Sequence, residues 1–197
     1  MNIGNFFFKY RSYTPIPLAA VILYNAQHAS AYVVLGLVCI ILGESIRFWA
    51  VSYAGGITRT TTVGATTLCT AGPFAHTRNP LYIGNMLIYN GIVLIAGASN
   101  ILSMLMLTWL FFIIQYYLII NLEEQTLTRI FGNTYLYYIK NVPRLFPQLL
   151  RWKSDDNRQP MTLLETLRTE KRTLQNVVIF LIIIYTRYRC WNNNFFI

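Results

Sequence analysis

Two short polar stretches interrupt an apolar chain, and their residue types can do chemistry. The first is GPFAHTRNPLYIGN, Gly72 to Asn85, which sets a histidine, an arginine and an Asn-Pro pair at the start of an apolar helix. Asn79 is a favoured N-cap residue and Pro80 suits the first helical position. A helix start offers unpaired N–H groups and a partial positive charge, and Arg78 adds a full one, so the pattern suits an anion. The second stretch is the acid pair Glu123–Glu124 at the end of a later apolar run. Two carboxylates beside an anion-binding helix start suit a zwitterionic ligand. His76 is the histidine nearest these groups and a candidate general base. Arg144, in VPRLFP, is a candidate anchor for a carboxylate or phosphate.

The elements that must bring these groups together are helices in a membrane. The chain has 197 residues, enough for one domain; 55% are hydrophobic and 12% charged. A soluble domain carries roughly 25% charge. Cys39, Cys69 and Cys190 share no short spacing, so neither a zinc site nor a disulfide framework is indicated. No metal ligand is assigned.

We expect an all-α polytopic membrane protein of about four to five spans in a single domain, 1–197. Lys9 and Arg11 precede an apolar run that resembles a signal peptide, with Ala29-Ser30-Ala31 as the small-residue site. Pro15 and Pro17 open this run and further spans follow at once, so we read a short first membrane helix, about 13–29. The second span covers about 31–53, where Glu44 and Arg47 stand one turn apart and can pair. Residues 54–79 form a Thr- and Gly-rich connection. The third and fourth spans, from Pro80 and from Ile101, are joined so tightly that they must form an antiparallel hairpin, which brings Glu123 and Glu124 to the depth of Arg78. The fourth helix is expected to run on into water on a Leu127, Ile130, Phe131 stripe, with Gly132 as its C-cap. A further amphipathic turn puts Tyr135, Tyr138, Ile139 and Val142 on one face before Pro143. Residues 151–197 read as an interfacial or membrane helix, with Leu163, Leu167 and Leu174 marking its apolar side and NVVIFLIIIY too short to cross alone.

The formal charge of +9 sorts by segment, not into a base-reading patch, so nucleic acid is not an expected partner. With the N-terminus inside, Lys9, Arg11, Arg47, Arg59, Arg78 and the run Arg129 to Arg172 all fall on the cytoplasmic side, and the loops at 25–30 and 97–100 carry no Lys or Arg. Arg187 and Arg189 break this pattern. The reading is a multi-pass protein of the cell or inner membrane, its polar site facing the cytoplasm. No obligate protein partner is evident.

The two elements together resemble the membrane methyltransferases that include isoprenylcysteine carboxyl methyltransferase and the phospholipid N-methyltransferases. The pattern is R-(H/N)-P-x-Y-x-G followed by E-E-x-x-L-x-x-x-F-G-x-x-Y-x-x-Y, matched between about Gly72 and Pro147. The resemblance implies an S-adenosylmethionine pocket, with Arg78, Asn79, Tyr82, Gly84, Glu123 and Glu124 as cofactor contacts. It implies a hydrophobic acceptor, a lipid amine or an isoprenylcysteine-like carboxylate, entering sideways from the bilayer. The carboxyl-methylating enzymes carry histidine where this chain has Asn79, which tilts the reading away from that acceptor. A non-catalytic assembly or transport component and a membrane reductase are the competing readings; binding of S-adenosylmethionine separates them.

Overall fold

The computed structural model describes residues 3–27, 31–56 and 63–193, with side chains through 189. The Ala29-Ser30-Ala31 site, Arg59, the side chain of Cys190 and the tail from 194 fall wholly or partly outside them. Every regular element among the described residues is helical: α1 (Ile3–Lys9), α2 (Ile16–Tyr24), α3 (Val33–Ala54), α4 (Pro80–Ala96), α5 (Ile101–Phe131), α6 (Asn133–Asn141) and α7 (Leu163–Asn193), with a short 3-10 turn at Gly72–Ala75. Two of these, α3 and α5, are long and apolar enough to cross a membrane; α4 is apolar but shorter, at 17 residues.

The first expected span is corrected. The 13–29 run holds only the nine-residue α2, about 14 Å at 1.5 Å per residue, against a hydrocarbon core of about 30 Å. Turns through residues 10–15 and the Pro15 and Pro17 ring constraints break the segment into two short helices. They lie over the bundle: α1 packs on α5, and the Thr14 hydroxyl donates to Gln115 at 3.1 Å.

The α4–α5 hairpin forms as the sequence indicates. Gly97 ends α4 in the left-handed conformation, φ 62°, and the Asn100 side chain accepts from the Ser103 N–H to cap α5. At 31 residues, α5 is about 46 Å long and outruns the hydrocarbon, carrying Glu123 and Glu124 past its apolar stretch. Gly132 closes it, at φ 52°. On the other side of α4, α3 runs antiparallel in the most extensive helix contact of the fold. A Cβ on Gly43 would stand 2.7 Å from the Gly84 carbonyl, and one on Gly91 would stand 2.4 Å from the Gly36 carbonyl. These glycines, seven apart on each helix, let the two backbones touch.

The C-terminal segment is helical, as expected. Its charged and apolar parts form one continuous 31-residue helix, which runs parallel to α4. Near one end Arg47 of α3 meets Glu170 and Asn85; near the other, the Tyr188 hydroxyl donates to the Ile95 carbonyl and Arg187 to Ala26 and Tyr24. Leu163 and Leu167 face outward, as a helix lying along an apolar surface requires, while Thr166 and Glu170 are buried. On α5, Thr108 and Gln115 are buried together with Phe112, Ile119 and Ile120, while Leu110, Ile113, Ile114 and Tyr117 point outward. An outward face of large apolar residues around an apolar core is the arrangement a bilayer accommodates and water does not.

Candidate functional site

The site begins with the turn before α4. Gly72, at φ 58°, lies so close to Tyr53 that a Cβ would fall 2.5 Å from its ring; this sets the 3-10 turn that delivers Thr77 and Arg78. The segment is laced to the chain after α6. The Arg78 N–H donates to Pro143 at 2.9 Å, and the Thr77 hydroxyl reaches the carbonyls of Arg144 and Leu145. Asn79 occupies the N-cap position, but its side chain does not cap the helix. Its amide donates instead to the Arg144 carbonyl at 2.9 Å.

Arg78 spends its guanidinium on three residues near the ends of two helices. Nε and Nη2 donate to Glu124 Oε1 at 3.1 and 2.7 Å, while Nη1 donates to the carbonyls of Ile139 and Val142 at the end of α6. From the other side Arg144 donates to both oxygens of Glu124. One carboxylate is thus clamped between two arginines, Arg78 with a side chain 8% exposed and Arg144 with one 40% exposed. Glu123 is held differently: it accepts from the Tyr82 hydroxyl at 2.8 Å, and the Tyr82 ring leans on Tyr116 with centroids 4.4 Å apart.

The face of α6 is as read: Tyr135, Tyr138 and Val142 are buried and Ile139 packs against them, with Leu127 and Phe131 of α5 alongside. Ile130 departs from the expected stripe and is exposed. The Tyr138 hydroxyl donates to the Phe74 carbonyl at 2.6 Å. Burial pushes both phenols well above their ordinary range, so they stay neutral.

These groups share a cavity of about 1490 Å³, larger than the roughly 300–1,000 Å³ of a single small-molecule pocket. Arg78, Asn79, Tyr82, Glu123, Glu124, Tyr135 and Tyr138 line its polar end; Ile92, Phe112, Val177 and Phe180 line its apolar depth. Arg11 of the N-terminal cover also lines it, a site residue that sequence reasoning treated only as a topological charge. Cys69 lines it too, but burial pushes its thiol up to about 11, which makes it a poor nucleophile at neutral pH.

Three expected site residues are not among those lining the cavity: Gly84, His76 and Arg144, the last meeting its polar end through Glu124. Gly84 faces α3, where a Cβ would meet the Arg47 side chain at 2.5 Å and the Gly43 carbonyl at 2.8 Å; its role here is close helix approach. His76 is not among the residues lining the cavity. Its Nδ1 sits 2.9 Å from the Gln148 carbonyl and its ring against Trp49, so Nδ1 carries the hydrogen and the ring braces a loop. Sequence reasoning also missed Arg47, Asn85 and Thr173, which line the cavity from three different helices. The expected Glu44–Arg47 pair gives way to Arg47–Glu170, at 2.7 Å.

A family model described as phospholipid methyltransferase matches residues 31–134 of this chain, more than half of it. Among curated proteins the chain is similar to the nickel-cobalt-cadmium resistance protein NccN of Alcaligenes xylosoxydans xylosoxydans, 26% identical over 153 residues, or 78% of this chain and 65% of that protein. It is also similar to the cobalt-zinc-cadmium resistance protein CzcN of Cupriavidus metallidurans, 27% identical over 121 residues, or 61% of this chain and 51% of that protein. The matches span less than two thirds of the length of either relative. No solved structure matches.

Proposed function

We propose that this chain, which belongs to the phospholipid methyltransferase family, transfers a methyl group from S-adenosylmethionine to an amphiphilic acceptor drawn from the bilayer. The observation that carries the reading is one cavity with a doubly clamped carboxylate at its polar end and apolar helix faces in its depth. The donor set fits this cofactor. Arg144, half exposed beside Glu124, suits the methionyl carboxylate. Glu123, which accepts from the Tyr82 hydroxyl with the charge of Arg11 near it, suits the cofactor's amine or ribose hydroxyls. Tyr135, Tyr138, Phe74 and Leu68 furnish a wall for the base. When bound, the cofactor supplies an electrophilic methyl group on a sulfonium.

The chain's own contribution is alignment and exclusion of water. Arg78 ties the start of α4 to α5 and to the end of α6 at once, and so holds the carboxylates in register. Holding donor and acceptor in line supplies several kcal/mol of the barrier without acid–base machinery. The apolar depth takes the acceptor's tail and leaves its head at the polar end. Labelled cofactor incubated with the reconstituted protein is expected to pass its methyl group to an extractable lipid. An amine acceptor gives a rate that rises with pH; a carboxylate acceptor, already ionised, gives a flat profile between about pH 6 and 8. Efficient methylation of a small water-soluble acceptor, with no gain from adding an acyl or prenyl tail, overturns the reading.

The names of the two relatives favour a second reading, a non-catalytic membrane component of metal resistance. Failure of the purified protein to bind S-adenosylmethionine selects it.

We place four helices, α3, α4, α5 and α7, across the membrane, with the Arg78–Glu124 end in the cytoplasm where the basic residues gather. A cysteine at Ser99, in the uncharged α4–α5 turn, is expected to label from outside the cell. Labelling from the cytoplasmic side alone inverts the arrangement.

A further inference from the structure

After α6 the chain continues as PRLFPQLLRWK, residues 143–153, joined to the site by Arg144 on Glu124. Three large apolar side chains in this segment are almost wholly exposed: Phe146 at 90%, Leu149 at 96% and Leu150 at 85%. The backbone that presents them is tied down on both sides. The Gln148 N–H donates to the His76 carbonyl and the Trp152 N–H to the Ala75 carbonyl, each at 3.0 Å. The Gln148 amide adds a bond to Ala75, and the Trp152 ring lies against Tyr137 and Tyr138. The apolar groups are therefore displayed by a braced scaffold, and His76, unused in the cavity, is one of its braces.

We infer that this loop is a membrane-docking surface that seats on anionic lipid headgroups beside the polar end of the cavity. Two observations choose this occupant. The first is charge: Lys140, Arg151 and Lys153 are exposed around the apolar triplet, against one exposed acid, Asp155. Apolar tips ringed by cations match an acyl boundary beneath anionic headgroups. The second is depth. Bonds from Thr77 and Arg78 fix the loop to the start of α4, at the end of the bundle where the outward apolar row of α5, Leu102 to Tyr117, gives out. The loop thus continues the bilayer-facing surface at headgroup level. The docking stands on these observations; the consequence, that it delivers an acceptor headgroup to the site, rests on the methyltransferase reading.

The test uses the full chain in proteoliposomes. Leu149→Cys, in a background with Cys39, Cys69 and Cys190 replaced by serine, carries an environment-sensitive fluorophore, and lipids carry nitroxides near the headgroup. Quenching at position 149 is expected, stronger in phosphatidylglycerol than in phosphatidylcholine, while the same label at Gln159→Cys stays unquenched. Arg151→Glu and Lys153→Glu are each expected to cut the anionic-lipid preference about fivefold. A label at 149 no more quenched than at 159, or one shielded by cross-linking to a second copy or another protein, overturns the proposal. Should the cysteine-free background fail to fold, trypsin cleavage of the wild type after Arg151 and Lys153 serves instead: slower in anionic than in zwitterionic vesicles supports docking, and equal rates refute it. Leu149→Asp with Leu150→Asp is further expected to raise KM for a vesicle-embedded acceptor and leave cofactor affinity unchanged. Quenching without any methyl transfer leaves the docking surface standing and removes the enzymatic reading.

Discussion

Replacing Glu124 with alanine is expected to remove cofactor binding and methyl transfer together, by about a hundredfold or more. The carboxylate bonds Arg78 on one side and Arg144 on the other. Its loss leaves two guanidinium groups facing one another with no counter-charge between them, one of them buried. Breaking a buried pair by deleting one partner costs about 3–5 kcal/mol. Arg144 is 40% exposed, so solvent screens its share and the figure applies chiefly to the Arg78 side. Glu124→Gln keeps one acceptor and is expected to fall between. Arg78→Lys is expected to resemble the alanine variant more than the wild type, because an ammonium cannot serve a carboxylate and two carbonyls in the planar fork Arg78 uses. Calorimetric titration with S-adenosylmethionine, beside a thermal melt to confirm folding, decides the matter. A folded Glu124→Ala protein with wild-type affinity puts the cofactor somewhere else.

What was legible in the sequence was what short-range geometry controls. The short connection between apolar runs, residues 97–100, fixes an antiparallel hairpin, and that alone brings Glu123 and Glu124 to the start of α4 across about forty residues of chain. Gly132 and the 135/138/142 spacing announce the end of α5 and the buried face of α6 in the same way. The family resemblance, drawn from those two elements, is borne out by the match over 31–134. The errors share a different cause. Arg47 and Glu170 lie 123 positions apart, and no local period links them, so Arg47 was matched with the acid one turn away. In the charged first part of α7 the buried positions are polar ones, Thr166 and Glu170, which no apolar stripe marks in the sequence. Around a membrane bundle the solvent is itself apolar, so large apolar residues face outward as well as inward, and helix contacts also rest on Gly36, Gly43, Gln115 and Glu170, which a hydrophobic stripe does not reveal. Gly84 and His76 illustrate a subtler limit: both stand within the motif, but their partners, α3 and the 148 carbonyl, come from outside it.

The Arg47–Glu170 pair carries the second large expectation. Arg47 Nη2 donates to both oxygens of Glu170, at 2.9 and 2.7 Å, and to Thr173 at 3.1 Å, while Nη1 bonds Asn85. Three helices are therefore joined at one guanidinium, and the glutamate side chain is only 1% exposed. Such a pair adds little net stability over an apolar replacement, but deleting one partner strands a charge where neither water nor lipid can solvate it. Arg47→Ala and Glu170→Ala are each expected to cost about 3–5 kcal/mol, lowering the melting temperature by roughly 6–20 °C at 2–4 °C per kcal/mol for a chain of this size. Arg47→Met combined with Glu170→Leu is expected to recover most of that loss, since the stranded charge is gone and the volume is kept. The recovered double variant separates stability from function. Arg47 and Thr173 line the cavity, so if the pair only fastens α7, the double variant regains activity along with its melt. If the pair also shapes the depth that receives the acceptor, the melt returns while KM for the acceptor stays high. Single variants that melt with the wild type, or a double variant as unstable as the two losses summed, refute the account of a buried pair that joins α3, α4 and α7.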